Sequence, residues 1–230
     1  MTKNNSRQVS KVAALIFAIA GVFASQAVAP AARAGDDNGN TLVKVLGTFV
    51  MPQSDLKNGG GGVLHVSQAE IPTLSIAYFL TDSLAVETIC CFTEHTITNR
   101  VPGLLGLGAG AAIADTWIFP PTLSLQYHHR MGAFKPYVGV GVSYFSFFGE
   151  TGYTPAGAVD LKSDWGLALG GGLDVALGGG WQLSIDAKKI LDLESKIYVN
   201  DTYIDTAELD PWLISVGVGY RFNVGDLFGR

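Results

Sequence analysis

Apolar residues recur at every second position along most of this chain. They do so in segments of roughly ten residues, long enough for a tilted strand to cross a bilayer and too short for a helix. Over 162–177, Trp165, Leu167, Leu169, Leu173 and Val175 alternate with Asp164, Gly166, Ala168, Gly170, Gly172 and Asp174. The same period runs through 71–80, 83–93, 117–129, 134–148, 181–189 and 209–222. A less regular first strand covers about 42–51, where Lys44 selects Val43, Val45 and Phe49 as the apolar face. The two longest apolar runs that could be helical, 12–23 and 103–114, fall short of the roughly 20 residues a spanning helix needs. The expectation is an all-β chain of eight antiparallel strands.

The connections sort into two kinds. Three are short, at 81–82, 130–133 and 178–180, and four are long, at 52–70, 94–116, 149–161 and 190–208. Short and long alternate, which is the pattern of an eight-stranded transmembrane β-barrel with periplasmic turns, extracellular loops and both termini in the periplasm. Alternation alone would also suit a soluble barrel with the faces reversed. Three features favour lipid outside. The polar face carries bare glycines at 139, 141, 166, 170, 172, 217 and 219, which make room inside a narrow barrel. Aromatic residues sit at strand ends on the apolar face, as in interfacial girdles. Only 15% of the chain is charged, too little for a watery exterior.

Residues 1–34 read as a signal peptide: Lys3, Arg7 and Lys11 precede the apolar run, and Ala32-Arg33-Ala34 forms the cleavage site. The barrel then occupies 35–230. Removing the segment takes away four of the 15 basic residues and none of the 20 acidic ones, leaving 11 against 20, a net charge of −9. Such a surface argues against nucleic acid as a partner. Cys90 and Cys91 are adjacent and cannot staple distant segments, so they read as small apolar fillers, Cys90 toward lipid and Cys91 toward the lumen.

Three stretches carry a family likeness: FPPTLSLQYHH over 119–129, FKPYVGVGVSYFSFF over 134–148 and LDPWLISVGVGYRF over 209–222. With Glu87 in LAVETI, they resemble the OmpW family of outer-membrane proteins along about 42–222. The resemblance implies a monomeric eight-stranded barrel in the outer membrane of a Gram-negative cell, without a cofactor. Its implied role is a channel or facilitator passing small, largely hydrophobic molecules through a narrow lumen, with an exit through the wall into the bilayer. The alternative it implies is a structural or receptor barrel that meets phage or bacteriocins without transport. Partners on this reading are outer-membrane lipid, small solutes and the outer-membrane assembly machinery. That machinery reads the aromatic of GYRF in relatives, but here NVGDLFGR follows over 223–230, with Phe228 in the parity of Phe222.

The charges predicted to face the lumen are Lys44, Glu87, Asp164, Asp174, Asp186, Lys188 and Arg221. In a lumen filled by side chains they must pair. Lys44 with Glu87, and Arg221 with Asp174 or Asp186, are the plausible partners. These ions either tie strands together or line a pathway. The resemblance places a leucine-like residue and a tryptophan at a constriction. Ile89 matches the first, whereas Lys188 stands in the second position, so an apolar gate becomes cationic. The apolar stretch 103–114 either lines a funnel above the lumen or packs over the barrel mouth. The histidines offer the weak case for an enzyme. His128 and His129 point to opposite faces, while His65 with Ser67 and the Glu94-His95 pair fall in loops, so no catalytic or metal site is expected.

Overall fold

The computed structural model describes residues 39–52, 55–56, 64–99, 108–152 and 159–225. The segment 1–34 expected to be a signal peptide, 103–107 of the apolar stretch and the tail 226–230 lie outside the described residues. In chain order the strands are β1 (Thr41–Met51), β2 (Asp55–Leu56), β3 (Leu64–Val66), β4 (Ala69–Phe79), β5 (Leu84–Cys90), β6 (Thr93–Asn99), β7 (Ala112–Phe119) and β8 (Thr122–His128). They continue with β9 (Phe134–Gly152), β10 (Val159–Leu161), β11 (Asp164–Gly178), β12 (Trp181–Leu191), β13 (Glu194–Val199), β14 (Thr202–Glu208) and β15 (Trp212–Phe222).

Eight of these close a barrel. β1 pairs with β4, β4 with β5, β5 with β8, β8 with β9, β9 with β11, β11 with β12, β12 with β15 and β15 with β1, all antiparallel. Closure removes every free edge in this part of the molecule. On the outside, Val45, Leu74, Ile76, Leu123, Leu125, Val138, Val140, Leu167, Leu169, Leu183, Ile185 and Ile214 are exposed. A soluble protein could not carry such a belt, and a lipid-facing barrel requires it. The tight turn between β11 and β12 uses Gly178, Gly179 and Gly180, whose φ values of 95°, 60° and 85° an L side chain rarely adopts.

The segments expected as long loops are in large part strands. β6 and β7 pair with each other and extend the wall, joined by β3 on one side and the upper half of β9 on the other. β10, β13, β14 and β2 form a separate four-stranded sheet, with Asn200 and Asp201 at positive φ turning β13 into β14. Of these strands, β6 and β13 invert the polarity of the barrel below. Thr93, His95 and Ile97 of β6 and Ser195 and Ile197 of β13 are buried, whereas Glu94 and Lys196 are exposed. Above the membrane the outer face meets water, so the period survives while its sign reverses. A reading tuned to apolar-outside strands stops at that reversal.

Candidate functional site: an apolar chamber above an ionic plug

Inside the membrane-spanning part, parity turns long polar side chains inward from facing strands, and closure brings them together. Lys188 of β12 places Nζ 3.0 Å from Glu87 Oε2 of β5 and 2.7 Å from Asp186 Oδ1 of its own strand. Lys44 of β1 places Nζ 3.4 Å from Glu87 Oε1 and 3.8 Å from Asp174 Oδ1 of β11, and 4.9 Å from the centre of the Tyr137 ring. Neutral donors complete each carboxylate. Ser75 and Gln126 donate to Glu87 at 2.7 and 2.6 Å, Ser184 to Asp174 at 2.6 Å, and Tyr137 to Asp186 at 2.7 Å. His128 Nε2 lies 3.1 Å from the Gln126 side-chain oxygen Oε1, and its ring stacks on Tyr137. All of these residues are buried. Charges removed from water at this depth need pairing, which each of them has, although the Lys44 ammonium makes ion pairs without a hydrogen bond.

Two glycines make space for the cluster. A Cβ on Gly170 would lie 2.8 Å from Lys188 Cγ, and one on Gly219 would lie 2.9 Å from Lys44 Cγ. Both lysine stems therefore run across bare backbone. A residual space of about 200 Å³ beside Lys188 and Asp186 is bounded by Gly139, Ala168 and Gly170. The buried side chains of the cluster form a plug across this part of the lumen.

Two of the expected lumen charges stand apart. Arg221, at the short-turn end, donates from Nε to the Gly39 carbonyl at 2.8 Å and lies 3.7 Å over the centre of the Phe79 ring. Asp164 sits at the opposite rim, where Oδ2 accepts the Glu194 N–H at 3.2 Å and ties β11 to β13. Lys135 is a buried cation that the list of lumen charges lacks. It shares the parity of Tyr137, and that was the available signal.

Above the plug the interior becomes apolar. Ile89 is buried one inward step beyond Glu87, and two further inward steps along the strand reach Thr93 in the chamber wall. The chamber holds about 810 Å³ of space free of protein atoms, its mouth included. Ile118, Phe145, Phe147, Leu161, Ile197 and Leu213 form most of its wall with Pro52, Pro120 and Pro211. Of the motif LDPW, Pro211 lines the chamber, while the Asp210 carboxylate accepts the Leu193 N–H at 3.0 Å and its carbonyl accepts the Lys189 ammonium. These contacts fasten the β13–β14 hairpin to the barrel.

One polar side chain in the chamber wall is titratable, His95. The expectation of a loop histidine is corrected by its burial on β6, which lies outside the membrane-spanning strands. Its Nδ1 is 2.6 Å from the Ser67 carbonyl and its Nε2 is 3.1 Å from the Thr93 hydroxyl. Burial holds His95 below the ordinary imidazole range, with the Ser67 carbonyl opposing that shift. Ser67 thus faces His95 rather than forming a pair with His65, and its hydroxyl accepts the Thr96 N–H at 3.1 Å. His128 belongs to the plug, and His129 is exposed on the opposite face. Cys90 is exposed and Cys91 buried.

The wall beside the chamber is interrupted. The β5–β8 ladder stops at Ile89 opposite Thr122, and the β6–β7 ladder starts at Thr93 opposite Ile118. Pro120 and Pro121, in the gap, carry no N–H to donate. On the outside Phe92, 57% exposed, stacks on Phe119 at 4.7 Å and meets Phe148 edge-on at 6.5 Å.

The sequence profile of the OmpW family matches residues 37–222. The outer-membrane protein y4mB of Sinorhizobium fredii is 34% identical over 96% of this chain and the whole of its own length. The crystal structure of the outer-membrane protein OprG from Pseudomonas aeruginosa superposes with a TM-score of 0.65, at 25% identity, covering 81% of this chain and 98% of that one. The solid-state NMR structure of the outer-membrane protein AlkL in lipid bilayers gives 0.61, at 26% identity, covering 84% and 95%. AlkL of Ectopseudomonas oleovorans is 30% identical in sequence over 84% of this chain and 86% of its own.

Proposed function

This chain belongs to the OmpW family of outer-membrane β-barrels, and from that premise we propose that it takes up small, predominantly apolar molecules from outside the cell. On this reading the extended strands face the medium, and the short turns and both termini face the periplasm. A solute enters the chamber, meets the ionic plug and leaves sideways into the bilayer through the gap beside Pro120 and Pro121. The observation that carries the reading is the chamber's apolar wall, which begins at Thr93, three inward positions along the chain from Glu87 of the charged cluster. A straight path would have to part ion pairs in a low-dielectric interior, at a cost of several kcal/mol per ion by the usual desolvation figures. The interrupted ladder offers a route with no such barrier.

Lys188 takes a different place in this reading from the cationic gate expected of it. Held between Glu87 and Asp186, it offers a passing solute no free positive charge. Selectivity then rests on the apolar chamber. A receptor barrel is the second reading, and the four-stranded sheet β10–β13–β14–β2 with its exposed Tyr203 favours it.

The test is uptake of naphthalene and of a charged naphthalene sulfonate by cells that depend on this barrel. Wild type should accumulate naphthalene faster than cells without the barrel, and Ile118→Trp, which fills the chamber, should abolish the difference. Equal uptake by a folded, surface-displayed Ile118→Trp variant would reject the chamber as the entry site. Preferred entry of the sulfonate would reject the apolar selectivity.

A further inference from the structure

His95 is placed where a proton and an apolar solute compete. A carbonyl oxygen only accepts, so the 2.6 Å contact with Ser67 requires the proton to be on Nδ1. In the neutral ring Nε2 is then an acceptor, and the Thr93 hydroxyl at 3.1 Å gives it a proton. Both ring nitrogens are satisfied in that one state. A second proton on Nε2 would face the Thr93 hydroxyl donor to donor. Thr93 would have to turn its own proton aside, and a positive charge would stand in a wall made of Ile118, Phe145, Phe147 and Ile197.

No described carboxylate is turned toward the ring to offset that charge. Among the residues whose side chains are described, the charged and titratable ones of these elements occupy the alternate positions: His65 on β3, Glu70 on β4, Glu94 on β6, Asp115 on β7, Asp160 on β10, Glu194 and Lys196 on β13, and Glu208 on β14. The positions facing inward on those strands are Val66, Ile71, Thr116, Leu161, Ser195, Ile197 and Ala207. Water drawn in from the chamber mouth is the remaining way to solvate a charged ring. An apolar solute would expel that water.

We infer that protonation of His95 and occupancy of the chamber by an apolar solute exclude one another, so that acidification of the medium empties the site. This rests on the reading of the chamber as the solute site. Because burial already holds the ring below the ordinary imidazole range, the neutral, solute-binding form prevails at and above that range. Affinity falls as pH drops through the lowered value. By linkage a bound solute depresses the proton affinity of His95 further.

The experiment measures naphthalene binding to the refolded protein in lipid nanodiscs, with empty nanodiscs as the partition control, from about pH 8 down to about pH 4. Wild type should lose affinity toward low pH, with the dissociation constant rising about tenfold per pH unit once His95 is protonated. His95→Gln, which can still donate to Ser67 but cannot titrate, should bind with no such slope, and His95→Phe should behave alike. A flat wild-type profile, or the same slope in His95→Gln, would overturn the inference and leave the uptake reading standing. Absence of saturable binding at every pH in both proteins would remove the uptake reading and the inference with it.

Discussion

Glu87 holds the centre of the plug by accepting from Lys188, Ser75 and Gln126 while Lys44 lies in ion-pair range at 3.4 Å. Lys44 and Lys188 approach its two oxygens from opposite sides, and Ser75 and Gln126 complete it. Removing its carboxylate would leave two buried ammonium groups with one carboxylate fewer. Glu87→Ala should therefore destabilise the barrel by about 3–5 kcal/mol, the range for breaking a buried pair from one side. Urea unfolding in lipid vesicles, followed by tryptophan fluorescence, measures this. A change below about 1 kcal/mol, as for an exposed ion pair, would mean that the cluster is hydrated rather than buried.

The gap between the β5–β8 and β6–β7 ladders is the element whose geometry most directly bears on transport. Two prolines remove donors from one side, and stacked aromatics cover the interrupted ladder on the outside. If solute leaves there, the Phe92–Phe119 stack is the shutter it must pass. Phe92→Ala should speed naphthalene transfer into the bilayer severalfold while leaving chamber affinity within about twofold, since Phe92 faces outward. Stopped-flow transfer to a lipid-embedded fluorescence quencher reads both quantities. Unchanged transfer with unchanged binding would place the exit elsewhere. The upper strands also show why the loops were misread as such. Their alternation runs apolar-in and polar-out, opposite to the spanning strands, and short segments such as TEHTITN carry little apolar weight. The period was in the sequence, but its sign depends on whether water or lipid lies outside.

Across the whole molecule the barrel is asymmetric along its axis, polar within below and apolar within above. The proposed orientation puts the apolar chamber outside. A cysteine at Asp201, in the β13–β14 turn, should react with a membrane-impermeant maleimide on intact cells, and one at Asp82, between β4 and β5, should react only after the outer membrane is breached; both would be made in a Cys90→Ser, Cys91→Ser background. The reverse pattern would invert the molecule and with it the uptake reading.

The eight barrel-closing strands, the face their side chains take and the inward set Lys44, Glu87, Asp174, Asp186 and Lys188 were legible in the sequence, because a strand's parity is a local property with a period of two. So was the Lys44–Glu87 partnership. The placing of Lys188 between Glu87 and Asp186, the departure of Arg221 and Asp164 to opposite ends, and the conversion of His95 from a loop residue into a chamber wall were decided by tertiary structure. Contacts across a lumen depend on how far strands tilt and stagger when the sheet closes, and no local period encodes that offset. The chain by itself determined which residues would meet inside; closure of the barrel decided at what height, and therefore with whom.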